Sequence, residues 1–161
     1  MKKSLFLLII VVLLLSLKIT NDTKYIIEKK EEIGYIIIPK INLKRPLYPI
    51  NSKENTIEKN ITILKESIMP DEPNSILILA AHSGIGKIAF FEQLDQLSIN
   101  DEIIISYHNK KYTYQVKNIW EEKKNGYINI NKELKKQLVL TTCSPKKDNT
   151  QLIINCTIKE S

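Results

Sequence analysis

The chain opens with an unbroken apolar run from Leu5 to Leu15, extended by Ser16 and Leu17. After a polar, charged stretch at 21–32, apolar residues return in short blocks bounded by Pro, Gly, Asn and Asp, which is the punctuation of strands. "GYIIIPKINLKRPLYPI" (34–50) carries Pro39, Pro46 and Pro49, and proline is tolerated only at the edges and bends of sheets, so two or three short strands are predicted here. Residues 51–74 are mostly polar, with a helical turn at Thr56–Lys59. A buried strand from Ser75 to Ala81 ends at His82 and a glycine-containing loop. In "IAFFEQLDQL", Phe90, Phe91, Leu94 and Leu97 fall on one face at helical spacing, which predicts a short helix. "DEIIISY" and "KKYTYQVKNIW" read as strands joined by the turn-forming "HNKK", and Asn125-Gly126 marks another turn. "LVLTTC" and "QLIINCTI" close the chain as apolar strands. No internal repeat or low-complexity domain is visible. Many short strands with one or two short helices predict a mainly β protein, a closed β-barrel.

The N-terminal run divides the chain into a segment at 1–20, a linker at 21–32 and a domain at 33–161, long enough for one core without disulfide staples. Lys2 and Lys3 precede the run, and neither a small-x-small cleavage site nor a lipobox cysteine follows it. It is short for a span, which needs about 20 residues, but Ile19 and Thr20 can lengthen it and Lys18 can snorkel. The pattern favours an uncleaved transmembrane anchor over a cleaved signal peptide. The N-terminus would be cytoplasmic and the domain outside the cell, in a single pass. Charged residues make up 26% and hydrophobic ones 43%, as in globular chains. The net charge of +6 comes from lysines interspersed with glutamates, without the aromatic-lined basic stripe that nucleic-acid binding requires.

The two cysteines, Cys143 and Cys156, would invite a disulfide in an exported chain. If the last two strands form a hairpin, Cys143 lies opposite residue 151, and Cys156 is five residues further along at ~3.3 Å each. That exceeds the ~7 Å Cα separation a disulfide tolerates, so both thiols are expected free. Cys156, inside a strand, reads as a small core hydrophobe. Cys143 ends a strand and is followed by Ser144 and Pro145; it could equally be core or a nucleophile. His82 also ends an apolar strand, and a neighbouring histidine is what makes a thiol a useful nucleophile. Two such strand ends can meet at one barrel rim. His108, in a polar turn, reads as solvated.

These segments resemble the sortases, cysteine transpeptidases of Gram-positive bacteria. "IGYIIIPKINLKRPLYPI" looks like the family's opening strands, "LILAAHSGIGKIAFFEQLDQLSINDEIII" like its histidine segment, and "LVLTTCSP" like its nucleophile segment. The resemblance covers residues 33–158 and rests on the order and spacing of the three motifs. It implies an eight-stranded sortase barrel in which Cys143 attacks the threonine carbonyl of a Leu-Pro-x-Thr-Gly-like sorting signal on a surface protein. His82 would protonate the leaving amine and deprotonate the incoming one, and an amine from a cell-wall precursor or a pilin would resolve the thioacyl enzyme. Thr142 would shape the oxyanion site or touch substrate.

One member of the family pattern is missing. Sortases carry an arginine at the start of the last strand, and Gln151 occupies that place here; no arginine follows Arg45. Glutamine can donate a hydrogen bond to an oxyanion, but not a charge-assisted one. Lys146 or Lys147 in the adjacent loop could supply charge, though without arginine's fixed fork. The alternatives are an inactive or weakened sortase-like surface binding module and an exported cysteine hydrolase. Glu121 and Glu122 stand beside Lys123 and Lys124 without an oxygen-ligand cluster, so neither calcium nor any other metal or cofactor is expected.

Overall fold

Among the described residues eight strands make one sheet, and their order explains where each sequence segment ends up. They are β1 (Gly34–Ile38), β2 (Leu43–Leu47), β3 (Thr62–Ile63), β4 (Ile76–Ala80), β5 (Glu102–Tyr107), β6 (Lys110–Lys123), β7 (Gln137–Cys143) and β8 (Thr150–Ile158). The order across the sheet is β2-β1-β5-β6-β8-β7-β4-β3. The computed structural model describes residues 10–18 and 32–159. The chain divides into two compact units, 1–31 and 32–161. In the first, residues 10–18 are helical. Among the described residues no helix is long and apolar enough to cross a membrane. Most of the predicted anchor and all but the last residue of the predicted linker lie outside the described residues.

Local chemistry accounts for the turns. Pro39 begins a 3-10 turn, Pro39–Ile41, between β1 and β2, closed by Asn42 in the left-handed region (φ 50°). Pro46 falls in β2, an edge strand, where its missing N–H costs no ladder bond. His108 and Asn109 both have positive φ (44° and 63°), the two-residue geometry whose twist suits the β5–β6 hairpin. The turn expected at 56–59 is present, with Lys59 and Asn60 N–H both donating to Thr56 O. β6 is 14 residues long and serves two partners, β5 with its first half and β8 with most of its length. A register shift between Val116 and Asn118 bends it between the two.

Two expectations need correcting. The short helix predicted from the apolar face at 90–97 is instead a string of turns ending in a 3-10 turn, Leu94–Gln96. Phe91, Leu94 and Leu97 are buried as expected, while Phe90 is covered by the Arg45 guanidinium, 3.9 Å from its ring centre. The apolar spacing was real, but burial by successive turns satisfies it as well as a helix does. The barrel is also only nearly closed: among the described residues no ladder joins the edge strands β2 and β3.

The inner face of the sheet holds the main core, including Ile36, Leu77, Leu79, Tyr114, Leu140 and Ile154. A second, smaller cluster lies on the outer face: Ile76 and Ile78 of β4, Val139 of β7 and Ile153 of β8, covered by Leu64, Trp120, Ile128 and Ile130. That cover brings the β6–β7 connection, residues 124–136, over the outside of the sheet. Two buried glutamines fasten it. Gln137 Nε2 donates to Asn131 O (2.9 Å), and its Oε1 accepts from Glu133 N–H (3.0 Å). Gln151 does the same work at the other end of the connection.

Candidate active site

β4 and β7 run parallel, with Ala80 opposite Thr141. Their C-terminal ends therefore point the same way, and His82, two residues past β4, emerges beside Cys143, the last residue of β7, although the two are 61 positions apart. Side chains alternate across a strand. Leu77, Leu79 and Ala81 join the inner core while Ile76 and Ile78 face outward, which puts His82 on the outer face. Val139 likewise places Cys143 on that face. The two strand ends meet over the outer sheet, beneath the β6–β7 connection.

Hydrogen bonds lock the two ends together. Thr142 Oγ1 donates to Ala81 O at 2.7 Å, and Ser83 Oγ donates to Cys143 O at 2.8 Å. Phe91, wholly buried, donates its N–H to His82 O at 3.0 Å, so the loop after His82 is drawn back onto the core. Thr142 is itself buried, and its hydroxyl works as a tie between strands.

A cleft of about 300 Å³ opens at this junction, and His82, Thr142, Cys143 and Gln151 all line it, with Lys124 and Tyr127 on the connection side. Cys143 is exposed and Cys156 buried, and both are free. Burial pushes the Cys156 thiol far up from its ordinary pKa, so this sulfur is held neutral. The hairpin register is the one expected, Cys143 against Gln151, with Cys156 against Leu138.

Gln151 is 9% exposed and belongs to a row that crosses three strands: Glu122 of β6, Gln151 of β8 and Cys143 of β7. Its Nε2 donates to Tyr127 O at 2.7 Å and to Glu122 Oε1 at 3.2 Å. A primary amide has two N–H donors. Both are engaged here, so the free donor expected of Gln151 is committed to holding the connection. Glu122 also accepts from Asn129 through its backbone N–H (3.2 Å) and its Nδ2 (2.9 Å). Burial alone would raise the Glu122 pKa, but the hydrogen bonds from Asn129, with smaller ones from Trp120 and Gln151, outweigh it and lower the value.

The loop lysines are placed differently from the expectation. Lys147 Nζ lies 3.7 Å from Glu121, and its backbone N–H, like that of Lys146, donates to Ser144 Oγ. Ser144 Oγ in turn donates to Glu121 Oε1 at 2.6 Å. The cation beside the sulfur is Lys124, with Nζ 3.4 Å from Cys143 Sγ. It is one of 23 lysines, and nothing local in the sequence distinguishes it. Only the β6–β8 register, which continues as Lys124 N–H donates to Asn149 O (2.9 Å), brings it here. Among the described residues no group of three or more His, Cys, Asp or Glu side chains is arranged to hold a metal ion.

Comparison with known proteins agrees with this architecture. The family model for the sortase domain matches residues 36–159, most of the chain. The chain belongs to the sortase family. Its sortase domain is 25% identical over 125 residues to sortase A of Bacillus anthracis, covering 78% of this chain and 58% of that protein. It is also 25% identical over 126 residues to sortase A of Staphylococcus aureus, covering 76% and 60%. The chain thus spans about three-fifths of the curated sortases it matches. Among solved structures, sortase C1 of Streptococcus agalactiae superimposes with a TM-score of 0.68 at 30% identity, over 83% of this chain and 70% of that one.

Proposed function

We propose that this sortase is a cysteine transpeptidase that cleaves the sorting signal of a surface protein and joins the acyl fragment to an amine of a cell-wall precursor or a pilin. The observation that carries this reading is the shared cleft of Cys143 and His82 at the adjacent ends of two parallel strands. The Cys143 thiolate attacks the scissile carbonyl carbon; a C–S bond forms and the π pair moves onto oxygen. The tetrahedral intermediate collapses, the C–N bond breaks, and His82 gives a proton to the departing amine. An incoming amine loses its proton to His82 and attacks the thioacyl carbonyl, and the C–S bond breaks to regenerate the thiolate. Thr142 and Ser83 keep the two strand ends in register, and Gln151 stands at the position where the resemblance puts an arginine. The apolar N-terminal run anchors the enzyme, with the catalytic domain outside the cell.

The test is incubation of the full chain with a Leu-Pro-x-Thr-Gly peptide, with and without a small amine, followed by intact-mass spectrometry. An acyl adduct on Cys143 that the amine converts to ligated peptide is the expected result. Conversion to the free acid alone, whatever amine is supplied, identifies a hydrolase, and binding with no adduct identifies a non-catalytic barrel. The anchor is checked separately: the mature protein is expected to keep its N-terminal run, and a soluble form beginning near residue 20 would show a cleaved signal instead.

A further inference from the structure

The cleft pairs its sulfur with a cation that the family resemblance does not supply. Lys124 directly follows the last residue of β6, and its backbone N–H bonds to Asn149 O, so the ladder to β8 extends one step past the strand. Residues two apart on a strand share a face. Lys124 therefore projects from the same side as Glu122, and hence as Gln151 and Cys143, which lie in line with Glu122 across the sheet. From there its stem reaches over β8 and sets Nζ 3.4 Å from Cys143 Sγ.

Two other candidates for this place, Lys147 and Gln151, are occupied. Lys147 pairs with Glu121, and both amide protons of Gln151 hold Glu122 and the Tyr127 carbonyl. Lys124 is the lysine that lines the cleft along with His82. An ammonium group has three donors and no acceptor, so its contact with a thiol is weak and its contact with a thiolate is charge-assisted. It also carries its charge on a flexible stem, so it can follow negative charge from sulfur to a nearby oxygen without movement of the backbone.

We propose that Lys124 is a catalytic residue of this cleft: its ammonium holds Cys143 as the thiolate and then faces the oxyanion that forms when the thiolate attacks a carbonyl. Lys124 takes no part in the proton transfers, which remain with His82. The second half of this assignment rests on the acyl-transfer reading above; the first half does not.

The test uses alkylation of Cys143 by iodoacetamide in the full chain, resolved by site with mass spectrometry across pH and at low and high salt. Alkylation needs no sorting signal, so it is independent of whether the chain is a transpeptidase. K124M is expected to slow alkylation at neutral pH roughly fivefold, the factor that a unit charge about 4 Å away exerts in a water-like medium. Its pH profile is expected to move to higher pH. K124R should restore the parent profile, K147M should match the parent, and molar salt should slow the parent while leaving K124M unchanged. Lys124 is exposed, so neither substitution touches the core. Superimposable parent and K124M profiles, or an equal displacement in K147M, would overturn the assignment. With a sorting peptide, K124M should also lose about 10²–10³ in kcat for acylation, partly regained in K124R. A parent that never acylates refutes the transpeptidase reading, and the alkylation series still decides the thiolate pairing.

Discussion

Replacing Gln151 with alanine separates two roles for this residue. One is the donor role suggested by the sequence; the other is the fastening of the β6–β7 connection described above. The substitution removes a bond to the Tyr127 carbonyl at 2.7 Å and one to Glu122 at 3.2 Å. A neutral hydrogen bond contributes a net ~1 kcal/mol. The bond to Glu122 is nominally stronger because its acceptor is charged, but water screens that carboxylate, so it is counted at another ~1 kcal/mol. A loss of about 2 kcal/mol raises the opening constant of the connection roughly 30-fold. The Asn129 amide is the reporter, because it donates to the same Glu122 oxygen as Gln151. The Ile63 amide, held by Asn55 Oδ1 at 2.8 Å in a different loop, is the control. Hydrogen exchange in Gln151→Ala should accelerate about 30-fold at Asn129 and little at Ile63. With a sorting peptide, loss of the fastening should raise KM more than it lowers kcat. Exchange at Asn129 within about threefold of the parent, combined with a fall of 10²–10³ in kcat, would refute the fastening argument and return Gln151 to the oxyanion.

Other consequences are as direct. Cys143→Ala should abolish the thioacyl adduct, whereas Cys156→Ala should retain it and lower the melting temperature, because Cys156 is 0% exposed and its truncation leaves a small cavity. Asn55→Ala should destabilise the domain by about 2–3 kcal/mol in denaturant titration, since buried Asn55 satisfies Ile50 O and both the N–H and the C=O of Ile63. The lowered pKa of Glu122 means that its ionised form favours the folded connection above the ordinary glutamate pKa of about 4.3, an advantage lost as pH falls through the lower folded value. Asn129 exchange, corrected for intrinsic rates, should therefore accelerate in that acidic window and hold steady from pH 5 to 7.

Cys143 and His82 were legible because each ends an apolar block at a turn, and the hairpin geometry alone put residue 151 opposite the sulfur. Register follows from strand alternation, a local property. Lys124 was not legible. Its place depends on β6 passing over two partners with a bulge near Lys117 between them, and one residue of slip would turn it to the other face. The engagement of Gln151 was hidden for a similar reason: its partners lie 24 and 29 residues earlier, on a strand end and a connection that meet only in the folded chain. The misread helix at 90–97 shows the converse limit. Spacing reported which residues are buried, not the backbone path that buries them.

β8 follows β7 in the sequence, yet it lies inside the sheet, between β6 and β7. Among the described residues those two have no ladder with each other, so the register that carries Lys124 over Cys143 runs through residues 150–158, with the Ser144–Glu121 bond as a direct tie. In a chain emerging N-terminus first, the β4–β7 ladder is able to set His82 beside Cys143 before β8 has docked. Gln151 and Lys124 join them when β8 is threaded between its neighbours. The Lys124–Cys143 pairing is thereby tied to the docking of β8, and a chain whose β8 is still unpaired presents its thiol without that cation.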